Sequence, residues 1–116
     1  MAQLPSISVP KWAIALINNV YDIERKLALH GDPGNGLRNI DKIKDLLMDE
    51  GLTYEDPLGQ PFKETRTDLD ANISGEGTEN LVVIEVIKPI VRVDIEGFSR
   101  VVQKGIVLVQ SKDSGI

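Results

Sequence analysis

The 116-residue chain contains no cysteine, which excludes disulfides, thiolate nucleophiles and metal sites built on thiolates. Its single histidine, His30, excludes histidine-rich metal sites and makes most schemes of acid–base catalysis awkward. The longest apolar run, Trp12 to Ile17, is far too short to cross a bilayer. The N-terminus lacks the basic start and apolar stretch of a secretory signal. These absences favour a cytoplasmic protein and make an enzyme the less expected class.

Aromatic residues are also scarce, and acidic residues outnumber basic ones by 18 to 13. Because the chain has only five aromatic side chains, branched aliphatic residues must form most of its core. A chain of this size is often stabilised by a partner subunit. The net charge of −5 argues against nucleic acid or an anionic membrane surface as the main partner.

The first half of the chain has the apolar spacing of two helices. Over 11–30, apolar residues recur in steps of three and four, with Pro10 suited to the first turn and Gly31 to the end. The Gly-Pro-rich segment 31–36 predicts a turn, and a second helix is expected over roughly 37–50, ending before Gly51. The two helices are therefore expected to form an antiparallel hairpin over 1–52.

The first helix carries more apolar surface than one hairpin partner can cover. The apolar surface that the second helix leaves uncovered must pack against either the β part of the chain or a second copy of the chain. The width of this surface is compatible with both arrangements. Two hairpins from two chains would make a four-helix bundle. The interface residues expected for such a homodimer are Ile14, Ile17, Val20, Tyr21, Leu27, Ile40, Ile43 and Leu47.

The second half of the chain predicts strands. Residues 53–80 are interrupted by Pro and Gly and are acidic, which predicts a connector with little regular structure. Segments 81–95 and 100–110 are rich in Val and Ile, which predicts strands. Pro89 suggests a bend and Glu96-Gly97 a tight turn, after which Arg100 to Gln110 is expected to return as one further strand. Two helices followed by strands over 81–116 indicate an α+β fold with a mainly antiparallel sheet.

No catalytic or ligand-binding motif emerges from the residue spacing. The loop 31–36 lacks both the phosphate-loop pattern and a preceding strand, so a plain turn is the better interpretation. His30 is best explained as a helix-terminal residue favoured by the helix dipole. The acidic pairs near Asp49 and Asp70 lack the spacing of a calcium loop. We therefore predict no catalytic residues, no metal site and no cofactor.

Read in order, the segments resemble the GrpE family, the nucleotide exchange factors of DnaK-type chaperones. Residues 14–27 resemble that family's LLPVLDNLERAL helix, with matches at Asp22, Glu24-Arg25 and Leu27. Residues 46–62 resemble LEKEGVEPIDALGEPFDP, with matches at Glu50-Gly51, Leu58-Gly59 and Pro61-Phe62. The strands from Arg100 to Val109 resemble RVLRPAMVVV, which places the family's Arg-Pro-Ala on Gln103-Lys104-Gly105. A rival alignment, which needs a longer spacing, places VLQKGY on Val101 to Ile106 instead.

The resemblance covers roughly residues 12–110 and omits the long helix that precedes this region in family members. It implies a homodimer whose β domain binds the ATPase domain of a DnaK-type chaperone and promotes ADP release. The residues that it suggests for this contact are Arg92, Arg100, Gln103 and Lys104. An alternative is a GrpE-fold interaction or assembly module without exchange activity, and a small enzyme is a third, less favoured hypothesis.

Overall fold

The computed structural model describes residues 9–112, and they form an α+β fold, as predicted. Two helices come first, α1 (Lys11–His30) and α2 (Gly36–Asp49). Six strands follow: β1 (Leu52–Glu55), β2 (Leu69–Ile73), β3 (Leu81–Lys88), β4 (Ile90–Ile95), β5 (Phe98–Gln103) and β6 (Gly105–Ser111). Within the described range, neither helix is long and apolar enough to span a membrane.

The ends of both helices follow from the local sequence. The N–H of Gly31 donates to the carbonyl of Leu27 (3.0 Å) and closes α1. The Asp32 carboxylate then accepts hydrogen bonds from the N–H groups of Gly36 and Leu37, which occupies donors that the first turn of α2 cannot pair internally. At the other end of α2, Gly51 has φ +78°, and a Cβ there would lie 2.5 Å from the carbonyl oxygen of Asp94. Only glycine meets both demands, so α2 ends against β4.

The strands form two three-stranded sheets. Sheet A has the order β1-β4-β5 and sheet B the order β2-β6-β3. Among the described strands, only the β2–β6 pairing is parallel, so the expectation of mainly antiparallel pairing is confirmed. A two-residue turn joins β4 to β5, with Glu96 at φ +51° and Gly97 at φ +83°, the backbone that suits the twist of a hairpin.

Two expectations about the strands were wrong. Residues 53–80 are not merely a connector, because they hold most of β1 and all of β2. Short strands between Gly and Pro residues have no clear period, and these two obtain their hydrogen bonds from β4 and β6, far along the chain. The segment 100–110 is also not one strand, because it breaks at Lys104 and its halves belong to different sheets.

The main core lies in the β part and is largely aliphatic, as the scarcity of aromatic residues predicted. Its buried members include Val83, Ile90, Val107 and Val109, and Tyr21 of α1 packs into the same cluster. The Tyr21 and Tyr54 rings meet edge to face, with centroids 6.1 Å apart. One face of α1 is therefore covered by the chain's own sheets.

Candidate partner-binding surface

An open apolar groove runs between the start of α1, the end of α2 and sheet A. We call it the apolar groove; its volume is about 720 Å³, and its walls include Trp12, Leu16, Ile43, Leu46, Leu52 and Ile95. The exposed fractions of Trp12 and Leu46 are 69% and 66%, and that of Leu16 is 43%. Large apolar side chains exposed side by side around a groove are typical of a surface that another protein covers.

The helical spacing explains how these side chains meet. Trp12 and Leu16 are four residues apart and therefore share one side of α1. Ala13, Ile17, Val20 and Tyr21 lie on an adjoining side, and the chain buries them. On α2, Ile43, Leu46 and Leu47 repeat at the same helical spacing and line the opposite wall of the groove.

Half of the predicted dimer residues are already buried by this chain. Ile17, Val20, Tyr21 and Ile40 are each at most 4% exposed, so they cannot be the contact surface of a second copy. Their assignment was wrong because a sequence period shows which side of a helix is apolar and not what covers it. Of the remaining four, Ile43 and Leu47 line the groove, whereas Ile14 and Leu27 are half-buried elsewhere.

The predicted contact residues for a chaperone do not form one patch. Arg92 faces the side of β4 away from Val91 and Val93, where its guanidinium donates to Glu55 and, at 2.9 Å, to Asp68. Gln103 is bonded to Asn18 of α1 and to the carbonyl of Pro89. Both side chains are thus committed within the chain.

Arg100 and Lys104 remain available for a partner. Arg100 pairs in register with Val93, so it lies on the groove side of sheet A, and it is half-buried. Lys104 is exposed at the break between β5 and β6, and its Nζ lies 3.9 Å from the Asp70 carboxylate, the loosest ion pair in the described part of the chain. Exposed ion pairs of this kind contribute little to stability. The Lys104 ammonium can therefore leave Asp70 and pair with another anion.

An ion-pair network holds Arg92 in place. Asp68 accepts two hydrogen bonds from Arg66, both at 3.0 Å, and also pairs with Arg92. The hydrogen bonds from Arg66 hold the pKa of Asp68 below its usual range, with Arg92 adding to the effect. A hydrogen bond from Gln60, supported by Arg92, lowers the pKa of Glu55. Within this network the positive charges of Arg66 and Arg92 are balanced by the negative charges of Asp68 and Glu55. We therefore assign the network a structural role.

A smaller cleft of about 440 Å³ lies at the other end of α1, beside β3. Tyr21, Arg25, Leu29, His30, Leu58 and Ile84 are among its walls. Arg25 donates to the carbonyl of Val86 (2.7 Å) and to Asp22 (2.8 Å), which joins the helix to β3. Burial, with the charge of Asp56 adding to it, raises the pKa of Tyr21 to about 12. His30 is exposed at the end of α1, where the helix-terminal interpretation placed it.

Sequence reasoning missed the apolar groove and the polar contacts between residues distant in sequence. The sequence did contain a signal for the exposure of Trp12 and Leu46, because both lie beside an apolar stripe at helical spacing. It contained no signal for the hydrogen bonds between Asn18 and Gln103, because 85 residues separate them. Within residues 9–112 no group of three His, Asp or Glu side chains is placed to hold a metal ion.

No protein-family model matches the chain, and no curated protein matches it.

Proposed function

We propose that the chain is a protein-binding domain that acts as a GrpE-like co-chaperone. In this proposal a homodimer binds the ATPase domain of a DnaK-type chaperone in the cytoplasm and promotes ADP release. The observation that carries protein binding is the apolar groove, with Trp12, Leu16 and Leu46 exposed around it. The order of two helices followed by a small β part is the order that the GrpE resemblance requires.

The occupant that we propose for the apolar groove is a second copy of the chain. The groove lies between α1 and α2, so two copies facing each other would bring four helices together, as in a bundle. A stable interface buries about 800 Å² per partner, which large side chains such as Trp12 and Leu46 supply efficiently. Glu50 is the one charged residue among the described groove walls, so the surface resembles the apolar centre of an interface.

Analytical ultracentrifugation of Leu46→Asp tests the dimer. Leu46 is already exposed in the single chain, so an aspartate there is tolerated by the monomer but is unfavourable inside an interface. Leu29→Asp is the matched control, because Leu29 is a similarly exposed helical leucine outside the groove. We expect a dimer for the wild type and for Leu29→Asp at micromolar concentration, and a monomer for Leu46→Asp. A wild-type monomer would contradict the proposal.

Exchange activity requires no catalysis by the chain itself. A factor that binds the open state of an ATPase domain better than its closed state shifts the population towards the open state, and ADP leaves faster. Moving that equilibrium from mostly closed to mostly open takes about 5 kcal/mol of differential affinity. Arg100 and Lys104 are the basic residues that we assign to this contact, because both lack a strong ion pair within residues 9–112.

Stopped-flow release of a fluorescent ADP analogue tests this activity. We expect the wild type to accelerate release, and Arg100→Glu and Lys104→Glu to slow association and change its salt dependence. Arg38→Glu is a control, since Arg38 is an exposed residue of α2 outside the β part. No acceleration at tens of micromolar, with no detectable complex, would refute exchange activity while leaving the dimer test unaffected.

The second candidate is a GrpE-fold interaction module without exchange activity. Two observations favour it: Arg92 and Gln103 are engaged within the chain, and Gly105 has no room for a Cβ. The preferred alignment puts the family's alanine at Gly105, whereas the rival alignment puts a glycine there. The packing thus supports the rival alignment, in which the family's Arg-Pro-Ala has no counterpart on Gln103-Lys104-Gly105.

A further inference from the structure

The chain crosses between the two sheets twice, at two positions that lie close together. The chain leaves sheet B and enters sheet A at Pro89, between β3 and β4. It returns from sheet A to sheet B at Lys104, between β5 and β6. Two single-residue connections therefore lie beside each other. Single residues between rigid elements are where hinge motions are commonly absorbed.

The Gln103 side chain lies across this crossing. Its Nε2 donates to the carbonyl oxygen of Pro89 (2.9 Å) and to Oδ1 of Asn18 (2.8 Å). Its Oε1 accepts a hydrogen bond from Nδ2 of Asn18 (3.0 Å). Both N–H groups of the Gln103 amide are thus used, one on the β3–β4 connection and one on α1.

We infer that this cluster is a conformational latch, which we call the amide latch: Gln103, Asn18 and the Pro89 carbonyl. It holds sheet A against α1 and the β3–β4 connection, and when it opens, sheet A turns relative to sheet B about Pro89 and Lys104, while Arg25 keeps α1 on sheet B. Pro89 is buried and both amides are half-buried, so an open latch leaves polar groups without partners. That penalty keeps the latch closed in the free protein.

A second link between the sheets is ionic and lies on the other face of β4. Arg92 of sheet A pairs with Asp68, the residue that precedes β2 of sheet B. This pair makes no hydrogen bond or ion pair with α1 among the described residues. It is partly buried, so high ionic strength weakens it only in part, and the packing of Ile90 into the core of sheet B remains beside it.

Spin-label distances measured at high salt test the latch, because the absence of cysteine allows two labels to be placed uniquely. Cysteines at the exposed positions Ser99 and Asn72 report the distance between the sheets. A second pair, Ala15 with Asn72, reports the distance from α1 to sheet B. Labelled chains are diluted into excess unlabelled wild type, so that only distances within one chain are measured.

Loss of the latch should change the distance between the sheets and leave the distance from α1 to sheet B as it is. In the wild type we expect one narrow distance population for both label pairs. Asn18→Ala should leave both distances narrow, because the bond from Gln103 to Pro89 remains and Arg25 still joins α1 to β3. Gln103→Ala should broaden the distance between the sheets and leave the distance from α1 to sheet B narrow. Gln110→Ala, a half-buried glutamine of β6 outside the latch, should broaden neither.

An unchanged narrow distance between the sheets in Gln103→Ala would overturn the inference, as would equal broadening in Gln110→Ala. If Gln103→Ala does not fold, Gln103→Glu decides the question. A glutamate keeps the acceptor for Asn18 Nδ2 but has no N–H for the Pro89 carbonyl. We then expect the sheet distance to broaden, and a narrow population would overturn the latch.

Discussion

Replacing Gly105 by alanine should destabilise the protein through packing alone. Gly105 begins β6 at the crossing of the two sheets, where an added Cβ would lie 2.8 Å from Leu69 Cδ2 and 2.9 Å from Ile90 Cγ1. Its φ is not in the left-handed region, so alanine meets no backbone penalty there. The effect of the substitution therefore measures how tightly the sheets are packed.

The magnitude follows from the two distances. Carbon atoms in contact prefer a separation of about 3.5 Å or more, so each neighbour must retreat by roughly 0.6 to 0.7 Å. Leu69 is 5% exposed and Ile90 is fully buried, so both side chains would have to shift within the interior of the protein. Overpacking of this kind costs about 1–3 kcal/mol. We expect a fall in melting temperature of roughly 4 °C for each kcal/mol.

Urea unfolding at one fixed protein concentration measures this change, with an unchanged denaturant slope showing that only stability has shifted. Gly34→Ala is the control, because a Cβ there meets nothing within 4 Å and its φ is also ordinary. The control should be neutral or slightly stabilising. Leu69→Ala removes the nearer contact, so alanine at position 105 should cost less in that background. Wild-type stability for Gly105→Ala, or an equal loss in Gly34→Ala, would refute the packing argument.

Four further outcomes test the polar contacts. Arg92→Leu should lose about 1–2 kcal/mol at neutral pH, between the values for exposed and buried ion pairs, as measured by urea unfolding. Because Arg92 helps to keep the pKa values of Asp68 and Glu55 low, their stabilisation is present above about pH 4 and is lost as the pH falls further. The difference between wild type and Arg92→Leu should therefore shrink in acid, and a constant difference would contradict the pairing. Tyr54→Phe removes a 2.9 Å hydrogen bond to Glu24 and should cost about 1 kcal/mol. Burial, with Glu24 adding to it, raises the pKa of Tyr54, so the folded protein should resist phenolate formation and lose stability above about pH 10, as phenolate absorbance and unfolding curves can show.

Local sequence signals determined the helices and the main turns. The apolar period over 11–30, with Pro10 before it and Gly31 after it, predicted the bounds of α1, and the structure agrees. The end of α2, the break at Pro89 and the turn at Glu96-Gly97 were also predicted correctly. Each of these features depends on residues within a few positions of one another, because proline and glycine act on the backbone where they stand.

Tertiary structure alone decided the surface and the sheets. The apolar period of α1 did not show that the sheets would cover Tyr21 and leave Trp12 exposed, because a helical pattern has no information about its partner. The strand β2 and the break at Lys104 depend on hydrogen bonds to strands distant in sequence. Arg92 and Gln103 were expected to contact a partner, and long-range contacts engage both within the chain. Such contacts form only once the fold has brought distant segments together, so no local pattern in the sequence records them.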